Sequence, residues 1–248
     1  MYQFIKPPNL PLKKISLAAI SSEFNEIAAN LTEFGINLIL ISQNKSLDRR
    51  EASHADMNIL HLDNNKIIID KNNEYNLNLF AEYGFDIIKS SNLISEKYPF
   101  NIPLNACIID NNIICNYSYT DKSLKDYIKN KSYNIIDIKQ GYSKCSICIV
   151  NKNSIITSDS SIAHLLKTIG FNVLKIVPGY IELPGYDYGF IGGCSGLINK
   201  NKLVFTGNVL THPNGKDIID FCNLHGVEVI SLTKHNLIDV GSIIPLAY

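Results

Sequence analysis

The chain has 248 residues, 46% of them apolar and 19% charged, with 23 basic and 23 acidic side chains and six cysteines. A net charge of zero without a long basic run excludes a nucleic-acid footprint spread over the molecule, and DNA is not an expected partner. No window reaches the roughly 18–20 apolar residues of a membrane span. MYQFIKPPNLPLKK, with three prolines and no apolar h-region, does not read as a secretory signal. The expectation is one cytoplasmic domain over residues 1–248, free of membrane contact and with unpaired thiols. The heavy use of Asn, Ile and Lys is that of an AT-rich bacterial genome.

In chain order, the first amphipathic segment is Ser22–Phe34, where Phe24, Ile27, Ala28, Leu31 and Phe34 recur at helical spacing. Four more follow: Tyr75–Tyr83, Lys122–Asn130, Ser161–Ile169 and Lys216–His225, each with one apolar stripe and a polar back. Ser22, Asp121 and Ser160 are expected N-caps. Gly35, Gly84, Gly170 and Gly226 follow four of the helices, where a residue without Cβ closes the last turn in the left-handed conformation. A strand comes next each time: INLILIS, FDIIKS, FNVLKIV and VEVISL. The third copy carries Ser132 before YNIIDIK.

Ahead of four of the helices stands a hairpin: MNILHL-DNNK-IIID, NACII-DNN-IICNY, SICIV-NKNS-IITS and SGLI-NKNK-LVFTG. The turns begin at Asp63, Asp110, Asn151 and Asn199, steps of 47, 41 and 48 residues. Periods of this length mark repeated supersecondary units. Each full unit is hairpin, helix, strand. The first copy lacks its opening strand, and a surplus strand, DVGSIIPL from Asp239, stands near the C-terminus. A five-fold ring of ββαβ units, closed by that strand, accounts for both and leaves no open sheet edge.

Five such units resemble the pentein fold, the α/β propeller of guanidino-group-modifying enzymes. PGYIELPGYDYGFIGGCSG also resembles a family of uncharacterised clostridial proteins with this fold. The resemblance implies a five-fold pseudosymmetric α/β propeller. It places the site in a central channel on the first strand of each unit, with a small-molecule ligand there. Penteins include arginine and agmatine deiminases, amidinotransferases, dimethylarginine hydrolases and a ribosome anti-association factor without a catalytic cysteine.

Aligned on their turns, the first strands carry Asn58, Asn105, Ser146 and Cys194 five residues before the turn. Seven before stand Asp56, Pro103, Lys144 and Gly192; nine before stand His54, Asn101, Tyr142 and Phe190. Residues two apart share a strand face, so these sets are expected to face the channel. The resemblance makes Cys194, in GGCSG of the last unit, the candidate nucleophile, with glycines that let a substrate approach the backbone. A cationic or basic neighbour must lower its pKa, and His54 or Lys144 is placed to do so. His54 is the candidate acid/base. Asp56 and Asp187 are candidate carboxylates for a planar cation, with Asn58, Asn105, Lys144 and Ser146 completing the binding set. The fourth unit reads KCSIC, without the H-x-D signature usual there in the family; H-x-D occurs instead as His54-Ala-Asp56 in the second. Pro178–Gly193 reads as a lid over the channel mouth. Cys145-x-x-Cys148 has metal or redox spacing but no second pair and no nearby His, and on a strand its thiols would face opposite sides. Neither metal nor cofactor is expected. Two readings stand: a Cys-dependent hydrolase or transferase of a guanidino or related C–N compound, or a non-catalytic scaffold for a ligand or partner, the ribosome included.

Overall fold

The computed structural model describes residues 2–129 and 131–248. Among these residues, five three-stranded sheets share one design. The first holds β1 (Leu17–Ser21), crossover helix α1 (Asn25–Glu33) and β2 (Asn37–Ile41). The second has a helical turn α2 (Ala55–Asn58), then β3 (Ile59–Asp63), β4 (Lys66–Ile69), α3 (Glu74–Glu82) and β5 (Asp86–Lys89). The third has β6 (Cys107–Ile109), β7 (Asn112–Cys115), α4 (Lys122–Ile128) and β8 (Asn134–Asp137). The fourth opens on a helical turn α5 (Ser143–Ser146), followed by β9 (Cys148–Asn151), β10 (Ser154–Thr157), α6 (Ser160–Thr168) and β11 (Asn172–Lys175). After a short β12 (Ile181–Glu182), the fifth has β13 (Ser195–Asn199), β14 (Lys202–Phe205), α7 (Gly215–Leu224) and β15 (Glu228–Ser231). β16 (Leu237–Ile238) pairs with β12, and β17 (Ile244–Ala247) ends the described chain's strands.

In the four units with a hairpin its strands are antiparallel and the helix carries the chain to a parallel third strand. The middle strands are buried almost throughout, which is why they read as unbroken apolar runs such as IIID and IICNY. The third strands lie half open to solvent and mix polar with apolar residues. β17 pairs antiparallel with β1, Leu17 opposite Ala247 and Ala19 opposite Ile244, and so supplies the opening strand the first copy lacks. The strand is shorter than expected, because residues 239–243 form a turn that serves the site described below.

Core clusters join neighbouring units. One unites Leu17 and Ile244 with Ile67 and Phe80; the next unites Ile68 with Ile113 and Leu124. A third unites Ile114, Ile155, Leu166 and Leu203. The fourth unites Val204 and Ile198 with Ala18 and Ile27, so the fifth unit shares a core with the first.

Gly35, Gly84, Gly170 and Gly226 adopt φ of +74°, +87°, +96° and +71°, as a helix-closing residue requires. The caps differ from expectation at two places. Asp159, not Ser160, caps α6, its carboxylate accepting from Ser161 and Ile162 N–H. Ser22 caps nothing: its N–H is taken by Ile41 and α1 starts three residues later without a side-chain cap. Asp121 caps α4 as expected. Asn130, the last residue expected in that helix, lies outside the described residues.

The larger difference concerns the first strands. His54, Asp56 and Asn58, and likewise Lys144 and Ser146, do not lie on extended strands; they sit in or beside the turns α2 and α5. Asn105 and Cys194 lie in turns just ahead of β6 and β13. The strands begin only at Ile59, Cys107, Cys148 and Ser195, so a two-residue period does not govern which way these side chains point. Asn58 shows why the chain coils there: its amide donates to the carbonyls of Ala52 and His54 at 2.9 and 2.8 Å, which closes the turn.

Candidate functional site

The ends of β3, β6, β9 and β13 that precede the strands bring their turns together, and the 239–242 turn packs among them. Here a cleft of about 260 Å³ opens, lined by Glu51, His54, Met57, Tyr142, Cys145, Tyr186, Asp187, Phe190 and Asp239, among others. Its walls are aromatic: Tyr142 stacks on Phe190 with ring centres 5.7 Å apart. The lining includes the carboxyl groups of Glu51, Asp187 and Asp239, and neither Lys nor Arg.

Cys145 is one of the lining residues and is buried. Its thiol donates to Asp56 Oδ2 at 3.2 Å and receives the Asn105 amide at 3.0 Å. Asn105 joins two turns: Nδ2 also donates to the Asp56 carbonyl at 3.0 Å, and Oδ1 accepts from Lys144 N–H at 2.8 Å and Cys145 N–H at 3.3 Å. Asp56 Oδ2 further accepts from Ser242 Oγ at 2.5 Å, and Lys144 Nζ donates to that same hydroxyl at 3.0 Å. His54 Nδ1 lies 3.9 Å from Asp239 Oδ1, within ion-pair range but too far for a hydrogen bond. His54 Nε2 is buried without a partner among the described residues. Asp239 accepts from Phe190 and Gly241 N–H, each at 2.9 Å.

Desolvation dominates the titration of this cluster. Burial pushes the Cys145 thiol well above its ordinary value, and the Asp56 and Asp239 carboxylates push it further. Burial raises Asp239 to about 6 and raises Asp56 and Glu51 as well. It lowers His54, against the pull of Asp56 and Glu23. At rest the site therefore holds a thiol and a neutral imidazole.

The structure brings together His54, Asp56, Asn105 and Lys144, and sets Asp187 on the exposed rim. It does not bring Cys194 to the cleft lining. Cys194 is fully buried in the apolar cluster with Cys148, Phe205 and Leu237, its thiol donating to the Ile191 carbonyl at 3.3 Å, and burial and Asp239 hold that thiol well above its ordinary value. Asn58 is spent on its own turn, and Ser146 Oγ is buried with no partner among the described residues. The GGCSG glycines admit protein rather than ligand. A Cβ on Gly192 would stand 2.4 Å from the Lys144 carbonyl oxygen, and one on Gly193 would stand 2.0 Å from Asp239 Oδ1. Pro178–Gly193 contains β12 and is anchored: Arg50 donates to the Gly185 carbonyl at 2.6 Å and lies 4.0 Å over the Tyr186 ring.

Cys145, Asp239, Ser242 and Glu51 escaped the sequence reading. Cys145 was visible as the first cysteine of C-x-x-C, but a strand assignment hid its direction; on α5 it lines the cleft from the edge of one core cluster, while Cys148 lies inside another. Asp239 and Ser242 lie in a segment that reads as strand, and its one contrary signal is Gly241, at φ +74°.

The family described as "Family of unknown function (DUF6873)" matches residues 19–244, and the chain belongs to it. No curated protein matches the sequence. Among solved structures, agmatine deiminase from C. jejuni is similar with a TM-score of 0.56 at 14% identity, over 91% of this chain and 90% of that one. An inosamine-phosphate amidinotransferase from Streptomyces griseus reaches 0.59 at 9% identity, over 93% and 91%. A DDAH from Pseudomonas aeruginosa, a Cys→Ser variant complexed with citrulline, reaches 0.56 at 9% identity, over 89% and 92%. All three are penteins, and the fold of this chain is the α/β pentein fold. No helix among the described residues is long and apolar enough to cross a membrane.

Proposed function

We propose that this DUF6873 member binds a guanidinium- or amidinium-type cation in the aromatic cleft and acts on its C–N bond through Cys145, as an amidino hydrolase or transferase. The observation that carries the reading is the cleft's chemistry: tyrosine and phenylalanine walls, three acidic residues, neither Lys nor Arg in the lining, and Cys145 among the lining residues. Planar cations are held by paired carboxylates and aromatic faces. The solved structures of like fold support it, since their names describe guanidino chemistry. Asp56 takes the thiol proton while sulfur bonds to the amidinium carbon; the C–N bond then breaks and the amine leaves with that proton. Water, or an acceptor amine, next attacks the S-bound carbon, the C–S bond breaks, and sulfur regains a proton. Cys194 serves packing in this scheme, and His54, neutral and 3.9 Å from Asp239, assists proton transfer on the leaving side. The same proposal includes a pseudo-five-fold ring around the site, supported by the β17–β1 pairing and by the core shared between the fifth and first units.

Site-resolved labelling by 2-chloroacetamidine beside neutral iodoacetamide, across pH 6–9, tests the reading. Saturable labelling of Cys145 in preference to the other five cysteines, lost in Cys145→Ser, is the expected outcome. Slow labelling spread over several cysteines would refute it. One observation favours a second reading, a binding module without chemistry: burial and two carboxylates hold the Cys145 thiol protonated. Under it, guanidinium or an alkylguanidine binds by calorimetry with equal affinity to the protein and to Cys145→Ala, and neither turns the ligand over.

A further inference from the structure

A buried chain of polar groups runs from Lys144 to Cys145 through the 239–242 turn. Lys144 Nζ donates to Ser242 Oγ at 3.0 Å, and Ser242 Oγ lies 2.5 Å from Asp56 Oδ2 and 3.0 Å from the Gly192 carbonyl oxygen. A hydroxyl has one proton and an ammonium only donates, so the serine accepts from lysine and its proton goes to one of the two oxygens. The shorter contact is to Asp56, a charged acceptor. The Cys145 thiol donates to the same Oδ2. Lys144, Ser242, Asp56 and Cys145 are all buried, which strengthens each link relative to water.

The backbone supplies a second, independent observation. Ser242 stands at φ +70°, in the left-handed region that glycine occupies without strain, directly after Gly241 at +74°. Its N–H is fixed on the Gly193 carbonyl at 2.8 Å. The backbone there favours glycine; what serine adds is the hydroxyl between Lys144 and Asp56. Strain of this kind persists where the surroundings hold it and collects at functional sites.

We propose that Ser242 links the Lys144 ammonium to Asp56 and so holds Asp56 as the carboxylate that accepts the Cys145 proton. Ser242 and Lys144 are positioning residues, and the proposal rests on the reading of Cys145 as nucleophile. The other charged and titratable groups facing the pair are His54, Asp239 and Glu51 around Asp56, and Asp239 and Tyr142 around Cys145. None of these is altered in the test.

The test is the rate of Cys145 alkylation by iodoacetamide, read by peptide mass spectrometry from pH 6 to 10, in the wild type, Ser242→Gly, Lys144→Met and the double variant. Ser242→Gly keeps the backbone in a conformation glycine prefers, and the fold of every variant is checked by circular dichroism before labelling. The half-maximal pH is expected to rise by about one unit in each single variant, about tenfold in rate at pH 8, since the thiolate forms by passing its proton to Asp56 and each variant removes support for the single negative charge the two groups share. The double variant is expected to move no further than the larger single change, because both act through one link. An unchanged profile in Ser242→Gly, or additive shifts in the double variant, overturns the proposal. The neutral probe needs no cation pocket. A shifted Ser242→Gly profile without amidinium selectivity in the wild type would therefore sink the proposed function and leave the link standing; the converse result would do the opposite. A wild-type Cys145 inert up to pH 10 overturns both.

Discussion

Asp239 shows how single residues set this site. Gly189 and Gly193 lie against it so closely that a Cβ on either would stand 2.5 and 2.0 Å from its atoms, and Phe190 and Gly241 N–H fix its two oxygens. Buried among them, its carboxyl is raised from 3.8 to about 6, so the folded protein binds a proton there that the unfolded chain releases. Its contribution to stability is fully present below pH 3.8 and is lost as pH rises through about 6, on the order of 3 kcal/mol in all. His54 acts with the opposite sign: its value is lowered, so stability falls as pH drops through 6.5, where the unfolded imidazole takes up a proton. Asp239→Asn removes the titration and, because one of the two acceptor oxygens becomes an NH2 facing an N–H, adds a loss that does not depend on pH. Urea unfolding at pH 4, 5, 6 and 7 is expected to show the variant gaining less on acidification than the wild type, by the share that Asp239 contributes, while Asp56 and Glu51 keep theirs. Parallel pH profiles of the two proteins would contradict the assignment.

At the scale of elements, each repeat relies on local rules with local energies. Asp159 caps α6 through two backbone N–H groups, so Asp159→Ala is expected to cost about 1 kcal/mol in chemical unfolding. Ser160→Ala, at the position that the sequence alone marks as a cap, is expected to cost a few tenths at most, because Ser160 is already inside the helix. Equal losses from the two substitutions would show that the helix start is misplaced. The turns α2 and α5 obey no such one-residue rule. Each is one turn long, too short to be stable alone, and exists because Asn58 and Asn105 satisfy its backbone from the side.

At the scale of the molecule, the C-terminal strand decides whether the first unit is a sheet of three strands or two. Without residues 244–248, β1 loses the partner of Leu17 and Ala19, and the cluster holding Ile59 and Phe80 loses Ile244 and Leu246. A chain truncated after Ile243 is therefore expected to lose its cooperative melt or to aggregate through the bared edge, followed by circular dichroism and light scattering. A truncated chain that melts like the full one would show that β17 adds little to the fold.

The sequence by itself determined the repeats, and with them the α/β architecture. Middle strands such as IIID and helices such as Ser160–Thr168 are stretches whose structure follows from the period of their own apolar residues and from the glycine behind them. The sequence also marked His54, Asp56, Asn105 and Lys144, because polar residues at matching places in otherwise apolar segments are visible in one dimension. It gave no reason to expect Cys145 rather than Cys194 in the cleft lining, or Asp239, Ser242 and Glu51 beside it. Those choices depend on side-chain direction in one-turn segments, and that direction is set by groups far along the chain: Asn105 reaching Cys145, and Ser242 reaching Asp56 across 186 residues. Only the tertiary structure decides which thiol meets the cleft, because burial and the neighbouring carboxylates come from units that share no local sequence.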